Sequence, residues 1–436
     1  MAVSRLLLGQ GGSLFAAPLR LSVFFNEWQP MDDKPKLRPV EVFPVKSDRG
    51  DILCIRDATG LSDRVVTASP RALRVLQVLD GKHNLLDIQA ALVRATGEIV
   101  FSDEIHKVLD VLDQALLLEG ERFETWRAQR IESFARSRVR KPVSAGHGYP
   151  SDPKELRAFL DGVLDEAGSP KSAASASLRG LIAPHIDYAR GRKTYADAFQ
   201  ALARAGGADL FVILGTAHND TAERFALTRK NFQTPLGETV TDADFVDELL
   251  RRSGRDLFRD EFAHRAEHSV ELELVFLQHV CRKKKRDFRV VPILCGGFQQ
   301  AMEKEVSPME LPGVARVVEA LRDMLVSEKR SCVVVAGADL SHVGPRFGGS
   351  APLTRAFLDN LAVADRATLA FVEKHDPDGF FDNIAREENA RNVCGVAPIY
   401  VALKVLEPAR VKKLRYEQWA AEDGSSAVTF AACAIF

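Results

Sequence analysis

Residues 178–219 read LRGLIAPHIDYARGRKTYADAFQALARAGGADLFVILGTAHN, and this stretch decides the fold. Two runs in it, GLIAP (180–184) and LFVILG (210–215), are apolar throughout, with no alternation of polar and apolar residues. A helical pattern lies between them. Continuous apolar runs of this length fit strands covered on both faces. Three more follow: VVPILCG (290–296), CVVVAGA (332–338) and AVTFAACAIF (427–436). Helical patterns alternate with them. The expectation is an α/β fold, a mostly parallel sheet covered by helices on both faces, with its chemistry at the C-terminal strand ends.

Upstream, SDPKELRAFLDGVLDEAG (151–168) reads as a helix with Ser151 as cap, Pro153 in the first turn and Gly168 as stop. SPKSAASAS (169–177) reads as a surface loop, and residues 124–141 as a basic helical connector. Residues 38–68 alternate short β-like runs with turns. Three helical patterns follow. The first is capped by Ser69-Pro70, carries Leu73, Leu76 and Leu79 on one face, and stops at Gly81. The second ends at Gly97, and the third starts near Ser102. LLLEGERF (116–123) then reads as a hairpin or wing. The domains expected are a small winged-helix-like α+β module over 31–130, a linker over 131–140 and the α/β domain over 141–436. Residues 1–30 read as an unstructured tail or upstream extension. Gln10, Gly11, Gly12 and Arg20 break their apolar run, which makes a poor signal peptide, and Met31 is a plausible start.

Composition narrows the function classes. The 436 residues carry 59 Lys+Arg against 60 Asp+Glu, a net charge of −1. That balance gives no support for nucleic-acid binding. No stretch reaches the roughly 18 apolar residues that span a bilayer, so no membrane association is expected. The six cysteines include no CxxC pair, which points to a reducing, cytoplasmic setting.

The strand ends carry the candidate chemistry. GLIAP runs into His185-Ile186-Asp187-Tyr188, LFVILG into Thr216-Ala217-His218, and CVVVAGA into Asp339-Leu340-Ser341-His342. Asn392-Val393-Cys394-Gly395 opens a further helical pattern. Neutral imidazole and thiolate are ligands for Fe, Cu or Zn, and a cysteine at a helix N-terminus has a lowered pKa. Three histidines at three separate strand ends point to one metal or catalytic site. His268 starts the apolar stripe of HRAEHSVELELVFLQHV (264–280), with Glu271 one turn on to orient it. The spacing is not HExxH, so a zincin protease is not supported. His264, His279 and His375 read as solvated or packing residues.

Two resemblances rest on these residues. LRVLQVLDGKHNLLDIQAALVRATGEIVFSDEIHKVLDVLDQALLL (73–118) resembles the PqqD-like winged helices, which implies recruitment of a peptide or partner; a ligand-free accessory domain is the alternative. DNA binding is disfavoured, because the third helix carries Asp103, Glu104, Asp110 and Asp113 against Lys107. Residues 141–436 resemble the Memo family (AmmeMemoRadiSam system protein B). The matching motifs, in order, are PVSAGHGYPSDPKELRAFLDGVL, LIAPHIDYARGRKTYADAF, FVILGTAH, EHSVELELVFLQ, VVPILCGG, VVVAGADLSHVG and NVCGVAPIYVAL. That family shares its fold with class III extradiol dioxygenases.

The resemblance implies a metal held by His185, His218 and Cys394, with Fe(II) first and Cu or Zn as alternatives. It places Asp339 and His342 in the same pocket, with His342 as general acid/base, Asp339 fixing its tautomer and His268 beside them. It also implies a radical SAM partner system. The chain departs from the family at His147-Gly148, Asp187 and Glu273, so His147, Asp187, Tyr188 and Glu271 are the substrate-binding candidates. The function expected is a metal-dependent, dioxygenase-like oxidoreductase acting on a small-molecule or peptide substrate. The alternatives are a non-catalytic adaptor that binds peptide in the cleft and a metal-dependent hydrolase.

Overall fold

The computed structural model describes residues 34–47, 50–59, 61–68, 73–167, 177–219 and 221–436. The expected tail over 1–30, the start at Met31, the Ser69-Pro70 cap, the Gly168 stop and nearly all of the 169–177 loop lie outside these residues. The chain divides into two compact units, Met1–Ser133 and Phe134–Phe436.

The first unit holds strands β1 (Val40–Ser47), β2 (Gly50–Asp57) and β3 (Val65–Ala68) in one antiparallel sheet. Helices α1 (Leu73–Leu76), α2 (Leu85–Thr96) and α3 (Ser102–Gln114) follow. Asn84 and Asp87 form a capping box at the start of α2, and left-handed Gly97 ends it. Ile88, Leu92, Ile105, Val108, Leu109 and Leu112 close a core with Ile55 and Val66 of the sheet. The helix expected to run to Gly81 ends at Leu76. No hairpin forms over 116–123 either. Leu118 makes a single bridge with Leu37, and α4 (Glu121–Arg136) starts within that span. The boundary between the units falls inside α4.

The second unit begins with the end of α4, β4 (Val139–Arg140) and α5 (Pro153–Asp165). The α5 cap is Asp152, one residue after the Ser151 expected; its carboxylate accepts from the Lys154 and Glu155 amides. Then come β5 (Gly180–Ala183), α6 (Arg192–Ala205), β6 (Leu210–Thr216), β7 (Phe225–Leu227), β8 (Asn231–Thr234), β9 (Gly237–Thr239) and α7 (Ala243–Ser253). Next are α8 (Ser269–Lys283), β10 (Arg289–Cys295), α9 (Gln299–Glu303), α10 (Val314–Ser327), β11 (Cys332–Gly337) and β12 (Asp339–Val343). Helices α11 (Arg355–Glu373), α12 (Pro377–Ala385) and α13 (Val396–Val405) and strands β13 (Val411–Ala420) and β14 (Ala427–Ile435) complete it.

The main sheet runs β12-β14-β5-β11-β6-β10-β7, with β13 on β14. Its centre, β5-β11-β6-β10, is parallel. The flanking strands β14, β12, β13 and β7 are antiparallel. Helices cover both faces, and the strands divide between two cores with period two. On β6, Leu210, Val212 and Leu214 enter one core with α7, α10, α12 and α13. Phe211 and Ile213 enter the other with α5, α6 and α8. This is why the central strands read as unbroken apolar runs. On the second face, Phe276 of α8 stacks on Phe199 of α6 at 4.6 Å and on Tyr195 at 5.0 Å. Each such pair adds roughly 0.5–1.5 kcal/mol beyond its burial, and together they hold α8 against α6. Among the described residues, no helix is long and apolar enough to cross a membrane.

Candidate metal centre

Strand β11 lies between β5 and β6, and the three end together. The turns that leave them therefore deliver His185, Asp339 and His218 to one rim. The starts of α8 and α13 bring His268 and Cys394 to it. One ligand atom from each of His185, His218 and Cys394 lies within 4.8 Å of the other two.

Each donor is fixed from behind. The His185 amide donates to Asp339 Oδ1 at 2.9 Å. His185 Nδ1 lies 2.9 Å from the Gly337 carbonyl, so Nδ1 carries the proton and Nε2 keeps its lone pair. That Nε2 is 3.3 Å from Cys394 Sγ. Gly337 is needed there. A Cβ would come within 2.7 Å of the Ser269 carbonyl and 3.0 Å of Glu273 Cγ. His218 Nδ1 is held 2.9 Å from Glu267 Oε2, which leaves its Nε2 for the cleft. The same carboxylate accepts from the amides of His218 at 3.1 Å, His268 at 2.7 Å and Ser269 at 2.9 Å. Glu267 thus caps the start of α8 and orients His218. Cys394 precedes Gly395, where a side chain would run into the Asp339 carbonyl.

Burial sets the charges. It holds His185 far below the ordinary histidine range, and the neighbouring His218 and His268 add to this. Burial opposes a charge on His218 too, but the Glu267 carboxylate and a Cys394 hydrogen bond outweigh it and hold His218 well above that range. Burial, the largest influence, drives Glu267 up, but His218, His268 and the Ser269 amide together hold it well below the ordinary carboxylate range, so it stays ionised. The thiolate expected of Cys394 from its place before a helix is not what the environment favours. Burial pushes this thiol up, ahead of the lowering by the His218 hydrogen bond. The donor set nevertheless fits a metal. Ligation takes neutral imidazole and displaces the thiol proton, and both imidazoles already turn Nε2 towards the cleft.

The remaining candidates divide. His185, His218, His268, Asp339, His342 and Asp187 line one cavity of about 370 Å³. Three larger grooves, of about 810, 690 and 480 Å³, are lined by no histidine or cysteine. Burial lowers His342 to about 4 and raises Asp339 to about 7. Asp339 does not fix the His342 tautomer. It serves His185 instead, with Oδ2 3.8 Å from His185 Nε2. His342 Nδ1 turns to the Leu340 carbonyl at 3.2 Å.

Three substrate-binding candidates are not in the cavity lining. Glu271 is fully buried. It pairs with Arg140, accepts from the Val143 and Ser144 amides at 2.8 and 2.9 Å, and takes the Tyr149 hydroxyl. Three hydrogen-bond donors and an ion pair leave nothing for a substrate. Tyr188 is also fully buried, edge-on to Phe276 with its hydroxyl donating to the Leu272 carbonyl. His147 is exposed, because the 144–149 turn presents Ser144 and Gly148 to the cavity. Glu273 is fully buried and its oxygens have no hydrogen-bond partner among the described residues. Burial, then the Asp339 charge, keeps it protonated.

The sequence reading missed Glu267, Arg140 and Arg190. Glu267 had a signal, since it opens EHSVELELVFLQ beside His268. The other two are single arginines whose partners lie far along the chain or at the cavity mouth.

The family model described as Memo-like protein matches residues 140–434. A MEMO1 family protein of Aquifex aeolicus is 26% identical over 412 residues, covering 92% of this chain and all of the relative. Relatives of the same description in Thermus thermophilus and Methanopyrus kandleri are 32% and 28% identical, over 66% and 64% of this chain and 79% and 91% of their own lengths. The Aquifex match takes in most of the first unit as well.

Proposed function

The chain belongs to the Memo-like protein family, and from that premise we propose that it is a metal-dependent oxidoreductase of dioxygenase-like type, acting on a small organic or peptide substrate. The observation that carries this reading is the meeting of His185, His218 and Cys394 at the strand ends, each with its other polar contacts already made. Two imidazoles and a thiolate suit iron, with copper and zinc as competitors. A metal held there would supply redox and Lewis-acid chemistry beside the cavity.

The chain's own groups do the rest. Glu267 holds His218 in one tautomer, and the Gly337 carbonyl does the same for His185. Such outer partners set ligand orientation and basicity. His342 has Nδ1 committed to a carbonyl, so Nε2 is its atom for taking a proton from a substrate hydroxyl and returning it. His268 stacks on His218 with ring centroids 4.8 Å apart and walls the cavity opposite. The first unit recruits a peptide or partner, a reading that rests on its PqqD-like sequence run alone.

The test is dioxygen uptake by protein reconstituted anaerobically with iron, and separately with zinc, against a panel of catechols and peptides. Uptake with iron and none with zinc is the expected result. Hydrolysis by the zinc form without dioxygen uptake would replace this reading with the hydrolase. Peptide binding with no turnover in either form would replace it with the adaptor.

A further inference from the structure

Arg190 places at the cavity a fixed cation that the proposed reaction does not use. It lines the cavity together with His185, His218, His268 and His342. Its side chain is held at two points. Nε lies 3.0 Å from Asp187 Oδ2, and the guanidinium carbon sits 3.9 Å above the Trp419 ring of β13. Asp187 is itself tied back, its Oδ1 accepting from the Arg190 amide at 3.2 Å. Among the described residues, the two terminal nitrogens of Arg190 have no hydrogen-bond partner. Arginine has five N–H donors in a planar fork. Here Asp187 engages Nε, and the two-nitrogen end stays open with its plane set by the indole. A surface arginine without such contacts would pay side-chain entropy to stop moving when it bound a ligand; this one is already ordered.

We infer that Arg190 is the specificity-determining residue of the cleft and selects substrates that carry a carboxylate. The planar two-nitrogen edge matches two carboxylate oxygens. A cavity of about 370 Å³ is near the small end of ligand pockets, which span roughly 300–1,000 Å³. The class is therefore a small organic acid or the carboxyl-terminal residue of a peptide, its carboxylate on Arg190 and its reacting end towards the histidines. Asp187 positions the arginine and touches no substrate. This explains why an acid at 187 does not repel an anionic ligand: its charge is spent on Nε. The inference rests on the reading of the cleft as the substrate site.

The test is calorimetric titration of the full chain, metal-free and iron-loaded, with benzoate, its neutral counterpart benzamide, and phenyl phosphate. Benzoate is expected to bind at least about tenfold more tightly than benzamide, the difference one charge-assisted pair makes. That preference should vanish in Arg190→Gln, shrink in Arg190→Lys, and survive in Asp187→Asn. Unchanged thermal midpoints in the variants keep the comparison clean. The metal-free arm separates this inference from the proposed metal chemistry, since the preference should be the same without iron. Equal binding of benzoate and benzamide, no saturable binding of benzoate, or a preference that persists in Arg190→Gln would overturn it. Tighter Arg190-dependent binding of phenyl phosphate than of benzoate would overturn the carboxylate assignment.

Discussion

Glu267 is one buried carboxylate asked to serve two histidines and a helix start. It takes the His218 ring nitrogen, lies 3.2 Å from His268 Nδ1, and accepts three amides. Substituting glutamine removes its charge and one of its two acceptor oxygens while keeping its shape. Glu267→Gln should weaken metal binding by about 10–100-fold, the usual cost of losing an outer-sphere partner. Competition with a chromogenic chelator reads this directly, and unchanged affinity would show that His218 needs no orienting group.

At this scale the sequence was informative about identity and poor about role. His185, His218 and Cys394 announced themselves because buried strands and a helix start must release their chains at one rim. Glu271 and Glu267 are both acids in the same motif, four residues apart. Only the fold decides that one meets the buried Arg140 and the other meets the site. The family resemblance implied that Asp339 fixes the His342 tautomer. Between them, however, the β12 pairing with β14 is irregular, and each side chain finds a different partner.

Among elements, the central strands were legible because burial on both faces erases their alternation. AVTFAACAIF was equally apolar, yet β14 enters antiparallel, since strand direction depends on the connection and not on composition. The α1 helix and the supposed wing show the reverse case. Leucine spacing suggests elements there, and packing shortens one and unmakes the other.

The short turn Glu261–Arg265 that leads towards α8 supplies a pH prediction. His264 in this turn is buried, with Nε2 donating to the Ala226 carbonyl at 2.9 Å on β7. Burial depresses its pKa to about 4, against a partial rise from that hydrogen bond. The unfolded chain therefore gains this proton near pH 6.5, before the folded chain does. Stability from the neutral ring is complete above pH 6.5 and is lost as pH falls towards 4. Between pH 8 and pH 5 the wild type should lose about 2 kcal/mol more than His264→Gln. Urea unfolding at both pH values measures it. Parallel losses in the two proteins would refute the assignment to His264.

For the whole molecule, the important question is where the second unit begins. Sequence texture placed its start at 141, but Arg140 is fully buried. Its guanidinium pairs with Glu271 and reaches the His264 and Glu267 carbonyls. A composition change marks where the apolar pattern starts and carries no information about a single arginine that reaches back across more than 120 residues. Breaking a buried ion pair by removing one partner costs roughly 3–5 kcal/mol. A chain starting at Phe134 should therefore unfold at a clearly higher urea concentration than one starting at Lys141. Equal midpoints would mean that Glu271 finds another partner.

The α/β class was readable from pattern alone, and the family from ordered motifs. The chemistry assigned to the second unit rests on three donors meeting at one rim. Metal content of anaerobically purified full-length protein, measured beside His185→Ala and Cys394→Ser, tests that most directly. The account predicts near-stoichiometric metal in the wild type and its loss in both variants, with folding unchanged. Metal retained in both variants, or none taken up by the wild type from iron, copper or zinc, would contradict it.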